Sequence, residues 1–411
     1  MSTNTFGRVF DACIVGAGPA GTAAAITLAK AGRSVVVVDK ATFPRDKCCG
    51  DGLTAGALRL LESLGLDPAS VASWTVVDDV IVRSPSGRNV TFPMPRNAGS
   101  YSVVARRIDL DNALVALARS AGVVVVEDAP LTSCEPSQNG VKINAHGNFI
   151  EAHFAIGADG MWSPLRKLVE PKTAGPAYLG EWHGFRQYFT NVTGRAEHEM
   201  FVFFEPDLLP GYFWSFPLGD GRANLGFGLV RAKDQSMQQM KTLWPEILAR
   251  SHIAELLGPN AAPESVHKAW PIPARVDKTI LTAMEGRVLF VGDAAAATDP
   301  MTGEGIGQAL LTGTLAAQAI IGAAAAAEVA SVYETSVHRH LVADHRLANT
   351  LSGWLRHPLL ARGALRIAGT TPWTRRNFGR WLFEDYPRAM LFTPRRWHRK
   401  MFTGQGSFQK R

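Results

Sequence analysis

The sequence predicts an α/β nucleotide-binding fold, interrupted by an antiparallel β-sheet and closed by a basic helical tail. Three observations predict it. A buried strand, a glycine triplet, a helix and a second buried strand follow one another between residues 11 and 39. Shorter apolar runs separated by turn residues occupy 182–230. Beyond Ser331 the pattern is helical and loop-like and turns strongly basic.

Residues 11–15 (DACIV) read as a buried strand, a helix follows over 20–31, and residues 34–38 form a second buried strand ending on Asp39. Residues 54–64 carry Leu58, Leu61 and Leu64 at helical spacing. Residues 75–104 are polar and strand-like, 110–121 return to helix and 123–127 to strand. The runs 200–204, 212–216 and 223–230 are broken by turns at 206–211 and 218–221, which suggests an antiparallel sheet. One more buried strand, 287–291, leads to an uncharged stretch, 306–327. That stretch is long enough to span a bilayer, but its alanines, with Gly307, Gln308, Gly313, Gln318 and Gly322, argue for a helix buried within the protein. The nucleotide domain then comprises residues 1–74, 101–173 and 278–330. The sheet domain takes 75–100 and 174–277, and the tail 331–411.

A chain of 411 residues, 46% hydrophobic, can fill a substantial core in two or three domains. The polar start predicts no secretory signal. Cys13, Cys48, Cys49 and Cys134 are too few and too unevenly placed for a disulfide framework, so reduced thiols of a cytosolic protein are expected. The net charge of +7 is uneven, because Leu355 to Arg411 holds thirteen Lys/Arg against two acids. Trp373, Trp381, Trp397, Phe378, Phe383, Phe392 and Phe402 are interleaved with these cations. Such a tail suits an anionic membrane surface, or a solvated cap whose arginine stems cover apolar surface. Nucleic acid is set aside, since no recognised motif accompanies the charge.

Gly16, Gly18 and Gly21 form G-x-G-x-x-G. The first permits the tight turn, the second lets a pyrophosphate approach the backbone, and the third allows close helix–strand packing. Asp39 stands at the end of the next strand, where a carboxylate accepts ribose hydroxyls. Gly157-Ala158-Asp159-Gly160 follows an apolar stretch, and Gly292-Asp293 follows another, leading to Pro300-x-x-Gly303-x-Gly305-x-Gly307. There Asp293 is placed to bond a ribityl hydroxyl, and the glycines leave room for amides beside a flat ring.

These three motifs in this order resemble the p-hydroxybenzoate-hydroxylase-like flavoproteins, whose FAD domain is of the glutathione-reductase type. The resemblance implies FAD, held by Gly16, Gly18, Ala20, Gly21, Asp39, Lys40, Cys49, Gly50, Arg107, Asp159, Gly160, Asp293, Gly303, Gly305, Ile306 and Gly307. It places Arg107, in Arg107-x-x-Leu110-Asp111, near the flavin phosphates. No metal site is expected. Within the superfamily, Pro44-Arg45-Asp46-Lys47-Cys48-Cys49-Gly50-Asp51-Gly52 resembles the P-R-x-K-x-C-G-x-G segment of the geranylgeranyl reductases. That assigns Cys49 to the loop beside the isoalloxazine, as a proton donor or a shaper of the pocket; a buried inert thiol is the alternative. Alternation puts Tyr212, Trp214 and Phe216 on one strand face, an expected aromatic wall that binds a long apolar substrate, and they match the Y-x-W-x-F-P motif of the same reductases. Flavin halogenases carry G-W-x-W-x-I-P, from which Tyr212 and Phe216 depart.

The resemblance covers about residues 8–330 and implies an enzyme saturating carbon–carbon double bonds of an isoprenoid, such as a geranylgeranyl group, a prenylated lipid or a menaquinone tail. Cys49 and, second, Tyr212 are the expected proton donors. Electrons come from an external donor, NAD(P)H, a ferredoxin or a quinol, because the sequence shows no nicotinamide domain and no iron–sulfur cysteine set. Peripheral attachment to the inner face of the cell membrane is expected. A flavin-dependent monooxygenase or halogenase acting on an aromatic small molecule is the alternative.

Overall fold

A computed structural model of the chain describes residues 9–169, 180–231, 237–397 and 404–409. Parallel pairing builds its nucleotide sheet in the order Val288–Phe290, Asn148–Gly157, Val9–Val15, Val35–Val38, Val124–Val126. Val35–Val38 is four consecutive buried valines and Val9–Val15 ends on four consecutive buried residues, Ala12 to Val15, because helices cover both faces. Thr282–Ala283 adds an antiparallel edge, and the strands Leu131–Ser137 and Gly140–Ala145 extend Asn148–Gly157.

The uncharged stretch is a helix, Ile306–Gly322, buried over most of its length. It stops five residues short of the expected end, because the backbone turns extended at Ala323 before a second helix, Ala326–Val337. Among the described residues no helix is long and apolar enough to cross a membrane. Gly313 lets this helix lie directly on the helix Pro19–Lys30, since a Cβ there would fall 2.1 Å from the Ala20 carbonyl oxygen.

The second sheet runs in the order Ala262–Pro263, Gly180–Thr190, Arg222–Val230, Tyr212–Gly219, Met200–Phe203, Asp79–Arg83, Asn89–Pro93, with Lys268–Pro273 also paired to Gly180–Thr190. It is not wholly antiparallel as the short periods suggested. Met200–Phe203 pairs in parallel with Asp79–Arg83, which arrives from a distant part of the chain and so is free of hairpin geometry. Thr75–Val76 joins a small separate sheet with Ser102–Val104 and Gly52–Thr54.

One face of the second sheet is core. Phe185, Phe213 and Phe227 are fully buried there with Trp244 and Ile247. The opposite face looks across a cavity toward the nucleotide sheet. Among the described residues the basic tail includes the helices Ala343–Leu355, Pro358–Ala368 and Pro372–Leu382, which follow Ala326–Val337 and fold onto the protein. Phe378 packs on Phe92 at a ring separation of 4.7 Å, and Phe383 and Tyr386 are buried.

Candidate active site

The cavity measures about 1500 Å³ and is walled by both sheets and by the tail helices. Ordinary ligand sites hold roughly 300–1,000 Å³, so there is room for a dinucleotide and a second, elongated molecule.

At the nucleotide end Gly16 adopts φ +104, and a Cβ on it would fall 2.4 Å from the Ala158 carbonyl oxygen. Gly18 stands at the start of the helix Pro19–Lys30, which has no side-chain cap. The space a Cβ would take on Gly18 is bounded by the guanidiniums of Arg45, at 3.5 Å, and Arg107, at 3.9 Å. Buried Asp111 aims both. Arg107 donates to it from Nε at 2.8 Å and from Nη2 at 2.7 Å, and Arg45 Nη1 lies 3.1 Å away. Two guanidiniums and the open amides of a helix start form a donor set for a diphosphate. Asp39 accepts from Ala17 N at 2.7 Å and from Ala41 N at 2.8 Å, which fixes its carboxylate at the cavity wall with lone pairs to spare. Asp293, Gly303, Gly305 and Ile306 line the next stretch, and Ala20, Gly50 and Gly160 lie on it too. Lys40 is exposed at its rim. The donor set fits FAD.

Three of the expected cofactor residues also serve contacts within the protein. Gly21 is set back from the cavity, and a Cβ there would lie 1.8 Å from the Gly16 carbonyl oxygen, so the backbone packs directly against it. Gly307 is also set back, its amide donating to Glu304 Oε1 at 2.6 Å. Asp159 borders the cavity, but its oxygens accept from Ser163 Oγ at 2.6 Å and Leu165 N at 2.8 Å, holding the short helix Pro164–Val169.

The sheet wall carries Tyr212, Trp214 and Phe216 side by side, with ring centroids 6.1 and 6.3 Å apart, while Phe213 turns into the core. Tyr212 donates its hydroxyl proton to the Thr302 carbonyl, and burial pushes its pKa up. Trp214 Nε1 donates to Asn224 Oδ1 at 3.2 Å. Asn224 in turn donates to the Cys49 carbonyl at 3.0 Å and to Asp51 Oδ2 at 2.8 Å. One asparagine thus fastens the cysteine loop to the aromatic strand. The fully buried Asp51 also accepts from Tyr188 Oη at 2.7 Å, and burial pushes its carboxyl up to about 6. Burial pushes the Cys49 thiol up to about 12, despite the Arg107 charge beside it. In the same loop Lys47 stacks on Trp270, 3.4 Å from the ring centre, and burial lowers its ammonium to about 8.

Sequence reasoning missed four groups here. Asn224 and Asp51 act through hydrogen bonds that no spacing reveals. Glu304 lies inside the glycine motif, whose spacing speaks for its glycines and not for the acid between them. In the structure it lines the cavity, where burial and the Glu384 carboxylate push it well above the usual carboxyl range. The fourth is Arg388, buried in the tail, which donates to Asp299 Oδ2 at 2.8 Å and to Thr302 Oγ1 at 3.1 Å, anchoring the loop that carries Gly303.

The tail aromatics divide. Phe378, Trp381 and Phe383 line the cavity, whereas Trp373, Phe392 and Trp397 are exposed. Phe402 lies outside the described residues. The tail is therefore a cap over the cavity, and only part of it faces solvent.

A family model for an FAD binding domain matches residues 9–344. The chain is 31% identical over 376 residues to a menaquinone reductase of Mycolicibacterium smegmatis, covering 83% of each protein. It is 30% identical over 320 residues to a digeranylgeranylglycerophospholipid reductase of Methanothrix thermoacetophila, covering 76% of this chain and 78% of the other. A geranylgeranyl bacteriochlorophyll reductase-like protein from Thermoplasma acidophilum superposes with TM-score 0.78 at 21% identity, over 94% of this chain and 99% of that one.

Proposed function

The chain belongs to the FAD binding domain family of flavoproteins and, within it, to the geranylgeranyl reductases, and from that premise we propose how it reduces the double bonds of a prenyl chain. It is an FAD-dependent oxidoreductase. The observation that carries the substrate reading is the part of the cavity beyond the nucleotide site. There it lies between the Tyr212–Gly219 strand and the tail helices, lined by Val202, Phe204, Trp214, Phe216, Phe378 and Trp381. An extended apolar chain fills such a space; a single aromatic ring leaves most of it empty.

When bound and reduced, FAD supplies the hydride that one alkene carbon takes up, while the neighbouring carbon takes a proton. An isolated prenyl double bond is not electrophilic, so the proton source matters. Cys49 and Glu304 both hold a proton at neutral pH on the cavity wall. The proton of Tyr212 is committed to Thr302, so its part is to shape the wall. Asp111 orients Arg45 and Arg107 toward the diphosphate, and the aromatic wall excludes water and aligns the chain.

In this reading the residues about the parallel sheet hold the cofactor, the second sheet and the tail hold the substrate, and electrons come from an external NAD(P)H, ferredoxin or quinol. The protein works in the cytoplasm, at the inner face of the cell membrane. Anaerobically reduced holoprotein mixed with a polyprenyl quinone or prenyl diphosphate should reoxidise and give a product two hydrogens heavier. NADPH-dependent oxygen uptake with hydroxylation of an aromatic compound, and no gain of hydrogen by any prenyl chain, would establish the monooxygenase alternative in its place.

A further inference from the structure

The helix Pro358–Ala368 divides its residues among three faces. Ala361, Leu365 and Ala368 are buried against the protein. Leu359, Leu360 and Ile367 are 76%, 52% and 70% exposed, yet they line the cavity, as does Trp354, 59% exposed at the end of the preceding helix. Side chains that are both cavity wall and surface mark the mouth of the cavity. Arg362 and Arg366, four positions apart, stand exposed beside them. Residues 345–383 contain no Asp or Glu. Among the described residues, Arg356, Arg362, Arg366 and Arg376 form no ion pair, and all four are exposed.

Large apolar side chains around the mouth of an apolar cavity call for a cover that water does not provide. Unneutralised cations around them require that cover to be anionic. We propose that the helix Pro358–Ala368 seats the cavity mouth on an anionic lipid bilayer, so that a prenyl chain slides from the acyl layer into the cavity without crossing water. The proposal rests on the prenyl-reductase reading above. It assigns the membrane contact to one helix and its neighbours, since Phe378, Trp381, Phe383 and Arg388 are spent inside the protein.

The test uses the FAD-loaded full chain, sedimented with phosphatidylcholine vesicles and with vesicles containing phosphatidylglycerol, at low and high salt. Binding should require phosphatidylglycerol and fall with salt. Arg362→Glu with Arg366→Glu should weaken it by about tenfold per reversed arginine, and Leu359→Asp with Ile367→Asp should remove the salt-resistant part. The arginine variant should reduce a prenyl alcohol in neutral detergent micelles at the wild-type rate, and the same alcohol in anionic vesicles far more slowly. Equal vesicle binding by wild type and arginine variant overturns the proposal. So does a dimer, seen by light scattering, that Leu359→Asp dissociates, because the patch is then covered by a second copy. If wild type reduces no prenyl alcohol even in micelles, the prenyl-reductase reading fails instead, and sedimentation alone still decides the docking surface.

Discussion

Arg388 donates from Nε to Asp299 Oδ2 at 2.8 Å, and both side chains are buried, so a residue of the C-terminal tail holds the loop that presents Gly303 to the cavity. Glu384 reinforces the tie by accepting from Gln308 Nε2 at 2.9 Å.

Removing one partner of a buried pair leaves the other charge uncompensated, at a cost of about 3–5 kcal/mol. Arg388→Ala should therefore lower both thermal stability and FAD retention, though it touches no part of the glycine triplet. Flavin fluorescence during dialysis reads the loss. Undiminished retention would mean that the loop holds its shape without the tail.

Gly18 and Gly21 should respond differently to enlargement. A Cβ on Gly18 meets only two arginine tips, so Gly18→Ala should fold normally and lose FAD affinity. A Cβ on Gly21 lies 1.8 Å from a backbone oxygen, so Gly21→Ala should be destabilised even without cofactor. Apo-protein melting temperatures beside FAD titrations separate the two.

Trp214→Ala should raise KM for long prenyl substrates and leave FAD occupancy intact, with a loss of about 3–5 kcal/mol of contact. The effect should grow with chain length. Because Trp214 also holds Asn224, Trp214→Phe supplies the control: it retains the wall and gives up only the 3.2 Å hydrogen bond. Unfolding of both variants would make Trp214 simply core.

The two candidate proton donors predict different pH profiles. An acid acts only while protonated, so donation by Glu304 requires kcat to fall as pH rises through its elevated pKa. Donation by Cys49 leaves kcat level until the thiol ionises near about 12. Glu304→Gln keeps an acceptor for the Gly307 amide but no acidic proton, and should cost about 10²–10⁴ in kcat. Cys49→Ser, with chemistry rate-limiting, gives the matching measurement for the thiol.

Asp51 links stability to pH. Its carboxyl sits at about 6 in the folded chain against 3.8 otherwise, first because burial disfavours the charge. The folded state holds that proton more tightly, so the stability it confers is complete below the unfolded value and is lost as pH rises through about 6. Asp51→Asn cannot titrate. Denaturant unfolding of both proteins should show wild-type stability falling relative to the variant across that window and running parallel above it.

Much of this protein was legible in its residues. The order of strand, glycines, helix, strand and Asp39 specified the nucleotide site, because backbone space and the helix-start dipole act over a few neighbouring positions. Alternation along 212–216 specified the aromatic wall for the same local reason, since successive strand side chains point to opposite faces. Where the chain meets itself at long range, local pattern carries no such information. The parallel pairing of Met200–Phe203 with Asp79–Arg83, the bridge from Asn224 to Asp51 and Cys49, and the grip of Arg388 on Asp299 join residues 89 or more positions apart. The tail is the clearest case. Composition showed a basic, aromatic-rich segment, but only packing could direct Trp381 into the cavity and leave Trp373 in solvent, since burial is decided by what lies opposite a side chain in space.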